Sequence, residues 1–131
     1  MNLKFAVKLL LASSVTFASL ASASRADDAP MPTTVKPVPH EGTMKRHESF
    51  NERAKQGNVD LILIGDSITQ GWEGNGAKDV WAKFYGKRNA MNLGVGGDRT
   101  QHVLWRLDHG KIEGIAPKLA VLWIGTNNYK G

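Results

Sequence analysis

Three short polar segments carry residue types that could do acyl-transfer chemistry. Gly65, Asp66 and Ser67 end an aliphatic run at 59–64. Gly94-Val95-Gly96-Gly97-Asp98 ends a weaker run at 89–93, and Gly125-Thr126-Asn127-Asn128 ends a third at 118–124. A serine one residue past a glycine turn projects from the end of a strand and suits a nucleophile once a base takes its proton. Serine at a helix start is equally a favoured N-cap. Glycines let the backbone approach a ligand and expose amide donors, or simply form a tight turn. Asn127 offers a side-chain amide, or a turn residue. Backbone amides and one asparagine amide converging on a point have the makeup of an oxyanion hole. Both nucleotide fingerprints fail: Arg99 stands where the dinucleotide loop needs glycine, and no Lys-Ser/Thr follows Gly71.

The elements that must position these segments follow from periodicity. The aliphatic runs predict buried strands. Thr43 is expected to cap a helix over 44–56, stopped by Gly57, with Met44, His47, Phe50 and Ala54 on one face. His47 reads as a partly buried polar residue on that face. A second helix is expected over 78–85, with Val80, Trp81 and Phe84 as its apolar face. Asp98 is expected to cap a third, over 99–107, closed by Gly110. Strands alternating with helices predict an α/β fold with a parallel sheet. Such a sheet puts all three polar segments at its carboxyl edge, where ligands bind.

Composition narrows the function classes. A length of 131 residues allows one domain, and 41% hydrophobic with 22% charged residues excludes a wholly disordered or fibrous chain. With no cysteine there is no disulfide scaffold, thiolate zinc site, iron–sulfur cluster or cysteine nucleophile. The net charge is +5, but Lys4, Lys8 and Arg25 lie in an N-terminal segment that reads as an address. Lys4 and Lys8 precede an apolar stretch at 9–20, and Ala21-Ser22-Ala23 offers a cleavage pattern. The stretch is short of the roughly 20 apolar residues of a membrane span. Residues 1–23 are therefore expected to be a signal peptide, with Ala26 as a second cleavage point. A periplasmic or secreted product without stable membrane insertion follows. Residues 24–42, with Pro30, Pro32, Pro37 and Pro39, are expected to form an extended linker. No basic cluster with interleaved aromatics remains, which argues against a nucleic-acid partner.

Ile64-Gly65-Asp66-Ser67-Ile68-Thr69 resembles the nucleophile block of the SGNH (GDSL-type) hydrolase superfamily. The stretch 92–100 resembles its second block and Gly125-Thr126-Asn127-Asn128 its third. His102-Val103-Leu104-Trp105-Arg106-Leu107, running on to Pro117 and Lys118, is similar to the catalytic subunits of platelet-activating-factor acetylhydrolase. The resemblance covers about residues 48–129. It implies a flavodoxin-like three-layer α/β/α fold with sheet order 2-1-3-4-5, of which residues 43–131 hold the first three strands and lack the C-terminal ones. It also implies Ser67 as nucleophile, and an oxyanion hole built from the backbone N–H of Gly97, the side-chain amide of Asn127 and the N–H of Ser67. Asp66 and Asp98 would support the site from behind, with no metal or cofactor.

The family's Asp-x-x-His block, which supplies the general base, is absent. His40, His47, His102 and His109 are the only histidines, and Tyr129 stands where close relatives often carry histidine. The chain is expected to be the N-terminal part of a secreted serine esterase, inactive alone, whose third strand has an open aliphatic edge. Its substrates would be acetyl or short-acyl esters of carbohydrate or lipid. The alternative is a non-catalytic carbohydrate- or lipid-binding remnant.

Overall fold

Leu61, Ile62, Leu63, Met91 and Leu93 leave water together, and the backbone they carry must then satisfy its polar groups by strand pairing. The computed structural model describes residues 30–110 and 112–130, and joins three strands into one parallel sheet. They are β1 (Leu61–Gly65), β2 (Ala90–Gly94) and β3 (Leu119–Trp123), in the order β2-β1-β3. That order agrees with the expected one. The register aligns Ile62 with Met91 and Ala120, and Ile64 with Leu93 and Leu122. The expected signal peptide, residues 1–23, lies outside the described residues.

Helix α1 (Met44–Lys55) buries His47, Phe50 and Ala54, while Lys45, Glu48, Glu52 and Lys55 face water, as the periodicity predicts. Phe50 and Ala54 join Val59, Ile62, Met91, Leu93 and Val95 in the core. Each such large side chain contributes about 1.5–3 kcal/mol on burial. Thr43 stands at the N-cap position, yet its side chain makes no cap bond. The hydroxyl instead donates to the His40 carbonyl at 2.7 Å.

Helix α2 (Ser67–Gln70) follows β1 directly, α3 (Lys78–Phe84) leads toward β2, and α4 (Thr100–His109) lies between β2 and β3. The apolar face expected of α3 is not buried: Val80 is 41% and Phe84 54% exposed. α3 sits against the 3₁₀ turns Gly71–Glu73 and Gly86–Arg88. Its aromatic contact is local, Trp81 to Tyr85 at 5.1 Å. β3 is exposed along its whole length, with Leu119, Leu122 and Trp123 each about 60% accessible.

The described part of the proline-rich segment is fastened rather than free. Val38 N–H donates to the Gln101 carbonyl at 3.3 Å, and the Thr100 hydroxyl donates to the Thr34 carbonyl at 2.6 Å. Residues 34–43 thus form a strap across the start of α4.

Gly65 and Gly94 let α2 sit on the strand ends. A Cβ at Gly65 would collide with the Thr69 side chain and the Trp123 carbonyl; one at Gly94 would collide with the Gln70 backbone nitrogen and Thr69. Because the obstruction at Gly94 is largely backbone, it cannot swing aside. Gly94→Ala is expected to destabilise the fold by about 1–3 kcal/mol or more, the usual range for overpacking. Urea unfolding measures it, and an unchanged midpoint would refute the close approach.

Candidate active site

The seat of α2 decides what Ser67 is free to do. Asp66, 1% exposed, is the residue before the helix, and its Oδ1 accepts the Ile68 N–H at 2.9 Å. The cap that serine could have supplied is therefore supplied by aspartate. Ser67 becomes the first residue of α2 and is exposed, and no described residue bonds its hydroxyl.

The glycine loop lies beside it. Asp98 N–H donates to the Val95 carbonyl at 3.1 Å, closing a tight turn in which Gly97 has φ +78°. That conformation favours glycine. Gly96 N–H donates to Gln70 Oε1 at 2.6 Å, and a Cβ on Gly96 would lie 3.9 Å from the Ser67 Cβ. Gly97 is exposed at the rim, and among the described residues its N–H makes no hydrogen bond.

The third segment forms the 3₁₀ turn Thr126–Lys130. Asn127 Nδ2 donates to the Asp98 carbonyl at 2.8 Å and lies 3.5 Å from Asp66 Oδ2. The three segments expected to share one edge are thus joined, but the Asn127 amide is engaged rather than open. Asn128 does a different task. Its Oδ1 accepts the Thr100 N–H at 3.0 Å and its Nδ2 donates to Thr100 Oγ1 and Gln101 Oε1, so it caps α4 from across the sheet edge.

Asp98 does not cap α4, as the sequence had suggested. Arg99 occupies the N-cap position, and its N–H donates to His102 Nδ1 at 3.1 Å. Asp98 points inward with no exposed surface. Its Oδ2 accepts Arg106 Nε at 2.7 Å; its Oδ1 accepts Arg106 Nη2 at 3.2 Å and His40 Nδ1–H at 2.7 Å. The His40 ring stacks on His102 at 4.5 Å. Burial, and then the neighbouring His40, push the His102 pKa below its ordinary value, with Asp98 opposing. Burial likewise lowers that of His47, whose Nε2 meets the His109 carbonyl at 3.3 Å.

His40, Asp98 and His102 bring one potential ligand atom each within 4.8 Å. They do not suit a metal. Arg106 neutralises the carboxylate, His40 Nδ1 is bonded to it, and the His102 Nδ1 lone pair takes the Arg99 N–H. A cavity of about 490 Å³ adjoins the glycine loop, with Lys45, Arg46, Gln70 and Gly96 in its wall. Arg46 is held there by the Gly94 carbonyl at 2.6 Å and by both oxygens of Glu73. Sequence reading missed His40, Arg106 and Gln70 as parts of this edge, and placed Asn128 there without assigning it the cap of α4. Only Asn128, as half of a polar doublet after a strand, left a local signal.

Comparisons with known proteins bear on this edge. The model of the GDSL-like Lipase/Acylhydrolase family matches residues 63–131. The chain is similar to platelet-activating factor acetylhydrolase IB subunit alpha1 of Rattus norvegicus, 40% identical over 99 residues, which cover 75% of this chain and 41% of that protein. The Homo sapiens alpha1 subunit gives 40% over 99 residues, 75% of this chain and 42% of that protein. The Rattus norvegicus alpha2 subunit is 39% identical over 87 residues, 66% of this chain and 37% of that protein. The chain thus spans about two fifths of the length of the curated relatives it matches. These relatives correct the expected location: they are intracellular subunits, not periplasmic or secreted proteins. The segment that carried the expectation lies outside the described residues.

Two predictions follow from the buried groups. Arg106→Met removes the main partner of Asp98 and is expected to cost about 3–5 kcal/mol, as for other broken buried pairs; urea denaturation reads it, and a loss under ~1 kcal/mol would refute the pair. The second concerns pH. Folded His47 and His102 titrate below their ordinary 6.5, so the unfolded chain binds more protons as pH falls. Their contribution is present above about pH 6.5 and is lost as pH drops through the folded values. The urea midpoint is expected to fall across that window, with a smaller slope in His102→Asn. A flat profile would contradict it.

Proposed function

The chain belongs to the GDSL-like lipase/acylhydrolase family, and from that premise we propose that it bears the nucleophile of a serine hydrolase acting on small acyl esters, acetyl esters foremost. The observation that carries the reading is Ser67: exposed, released from capping by Asp66, and beside a glycine loop. The acetylhydrolase relatives support the acyl size.

In this reading Ser67 Oγ attacks the ester carbonyl carbon as its proton passes to a base. The carbonyl π pair moves to oxygen and forms a tetrahedral oxyanion. N–H groups of Ser67 and Gly97 and the Asn127 amide receive that charge. Collapse re-forms the carbonyl and expels the alcohol, which takes the proton from the base. Water then hydrolyses the acyl-enzyme by the same steps. An amide has two N–H donors. One hydrogen of Asn127 holds the Asp98 carbonyl; the other has only the 3.5 Å contact to Asp66 and is the one assigned to the oxyanion.

No described histidine is assigned as base. None of them bonds the Ser67 hydroxyl among the described residues; His47 is buried, and His102 Nδ1 already accepts the Arg99 N–H. An Asp-x-x-His block, which this sequence does not contain, is the base this reading requires. The 131-residue chain is accordingly expected to turn over a chromogenic acetyl ester well below about 1 s⁻¹.

The test uses a form of the protein that carries the block. Ser67→Ala is expected to reduce turnover at least about 10³-fold. Asn127→Ala is expected to lower kcat about 10²–10³-fold with little change in KM. Full turnover in Ser67→Ala sinks the nucleophile, and an unchanged kcat in Asn127→Ala removes that donor.

A further inference from the structure

Gly97 is exposed, and among the described residues its N–H makes no hydrogen bond to the backbone around it. Gly97 follows Gly96 and has φ +78°, where local sequence leaves many conformations open. A preorganised oxyanion donor cannot be so free, because its advantage is that it need not reorganise during the reaction. Some contact from outside the loop must hold it.

That contact comes from residue 40, outside the family-matched segment 63–131. The His40 ring lies against Gly97: a Cβ on that glycine would be 3.1 Å from His40 Cε1. The same imidazole donates through Nδ1 to Asp98, the next residue, at 2.7 Å. Four groups then close a ring. His40 bonds Asp98; Arg106 bonds both Asp98 and, through Nη2, the Thr43 hydroxyl at 2.5 Å; the Thr43 hydroxyl donates back to the His40 carbonyl at 2.7 Å. The ring joins the strap and α4 around the glycine loop. His102 backs the imidazole by stacking.

We propose that His40 is a positioning residue for the oxyanion loop: its ring against Gly97 and its bond to Asp98 fix the direction of the Gly97 N–H. This rests on the ester-hydrolase reading for its catalytic consequence, though not for its structural one. What the position requires is an N–H donor where Nδ1 stands. Asparagine supplies one of similar reach; alanine supplies none.

The experiment compares His40→Ala and His40→Asn by two readouts. One is the ¹⁵N order parameter of the Gly97 amide in the 131-residue chain. The other is kcat and KM for a short acyl ester in the form carrying the Asp-x-x-His block. In the parent, Gly97 is expected near the rigid value of about 0.85, falling below about 0.6 in His40→Ala. In the same variant kcat is expected to drop about 10–100-fold with KM within about two-fold, the signature of a misplaced group rather than a lost binding contact. His40→Asn is expected to recover most of both. A rigid Gly97 and normal kcat in His40→Ala would overturn the proposal, as would a folded His40→Asn no better than alanine. If His40→Ala fails to fold, His40→Asn decides alone: parent-like values support the proposal and a mobile Gly97 refutes it. Absence of Ser67-dependent turnover in the parent form would defeat the hydrolase reading, and the order parameter would still judge His40.

Discussion

A carboxylate moved out of water is costly unless opposite charge and hydrogen bonds replace the solvent. Asp98 has no exposed surface, and both its oxygens are met: Oδ2 by Arg106 Nε, Oδ1 by Arg106 Nη2 and His40 Nδ1–H. Those partners come from α4 and from the strap, so satisfying one buried group determines how two distant segments meet the glycine loop. Such a pair is weak evidence for stability, since an apolar replacement is often as stable. Arg106 Nη1, buried with no partner among the described residues, adds a desolvation cost of about 1–3 kcal/mol. What the arrangement supplies is position. Gly97, which has no side chain to anchor it, inherits its place from its neighbour.

The same division recurs at the other two segments. Asp66 takes the capping bond of α2 and leaves the adjacent Ser67 hydroxyl uncommitted. Asn128 takes the capping bonds of α4 and leaves the adjacent Asn127 to bridge Asp98 and Asp66. In each pair one polar residue takes the cap bonds, which leaves the Ser67 hydroxyl uncommitted and lets Asn127 bridge the two turns. Glycine permits the crowding: α2 reaches the strand ends only because residues 65 and 94 have no Cβ. Backbone approach, caps and buried charge thus form one system, in which the site geometry follows from how polar groups are satisfied.

Much of this edge was legible locally. Aliphatic runs ending in glycine marked all three strands, and their alternation with helices marked a parallel sheet whose carboxyl edge collects the polar segments. What was not legible depended on distance along the chain. Asp98 read as a helix cap because aspartate before a helix usually is one. Its partner His40 is 58 residues away in a proline-rich stretch with no periodicity. Asn127 read as an open donor because nothing local shows the Asp98 carbonyl beneath it. The face of α3 read as apolar because Val80, Trp81 and Phe84 have helical spacing; spacing shows which residues share a side, not whether a sheet lies under that side.

Asn127 also hangs from the least buried strand. Leu119, Val121, Leu122 and Trp123 are all exposed, and an apolar groove of about 360 Å³ opens between α4 and Leu122 and Ile124 of the third strand and its continuation. Packing therefore does little to hold the turn Thr126–Lys130. Its polar bonds must: Asn127 to the Asp98 carbonyl, and Asn128 to Thr100 and Gln101. Both anchors are on the segment running from the glycine loop into α4, the segment that the Asp98 network fixes. The Asn127 amide is consequently placed chiefly by the glycine-loop segment, with its 3.5 Å contact to Asp66 as the link to the end of β1. A displacement of α4 would carry Gly97 and Asn127 together and change their relation to Ser67, which is seated independently by α2 on the ends of β1 and β2. In the proposed reading, the distance that matters for oxyanion capture is set at the junction between these two parts. There, Gly96 N–H on Gln70 Oε1, at 2.6 Å, and the approach of Gly96 to the Ser67 Cβ are the direct links between the glycine loop and α2.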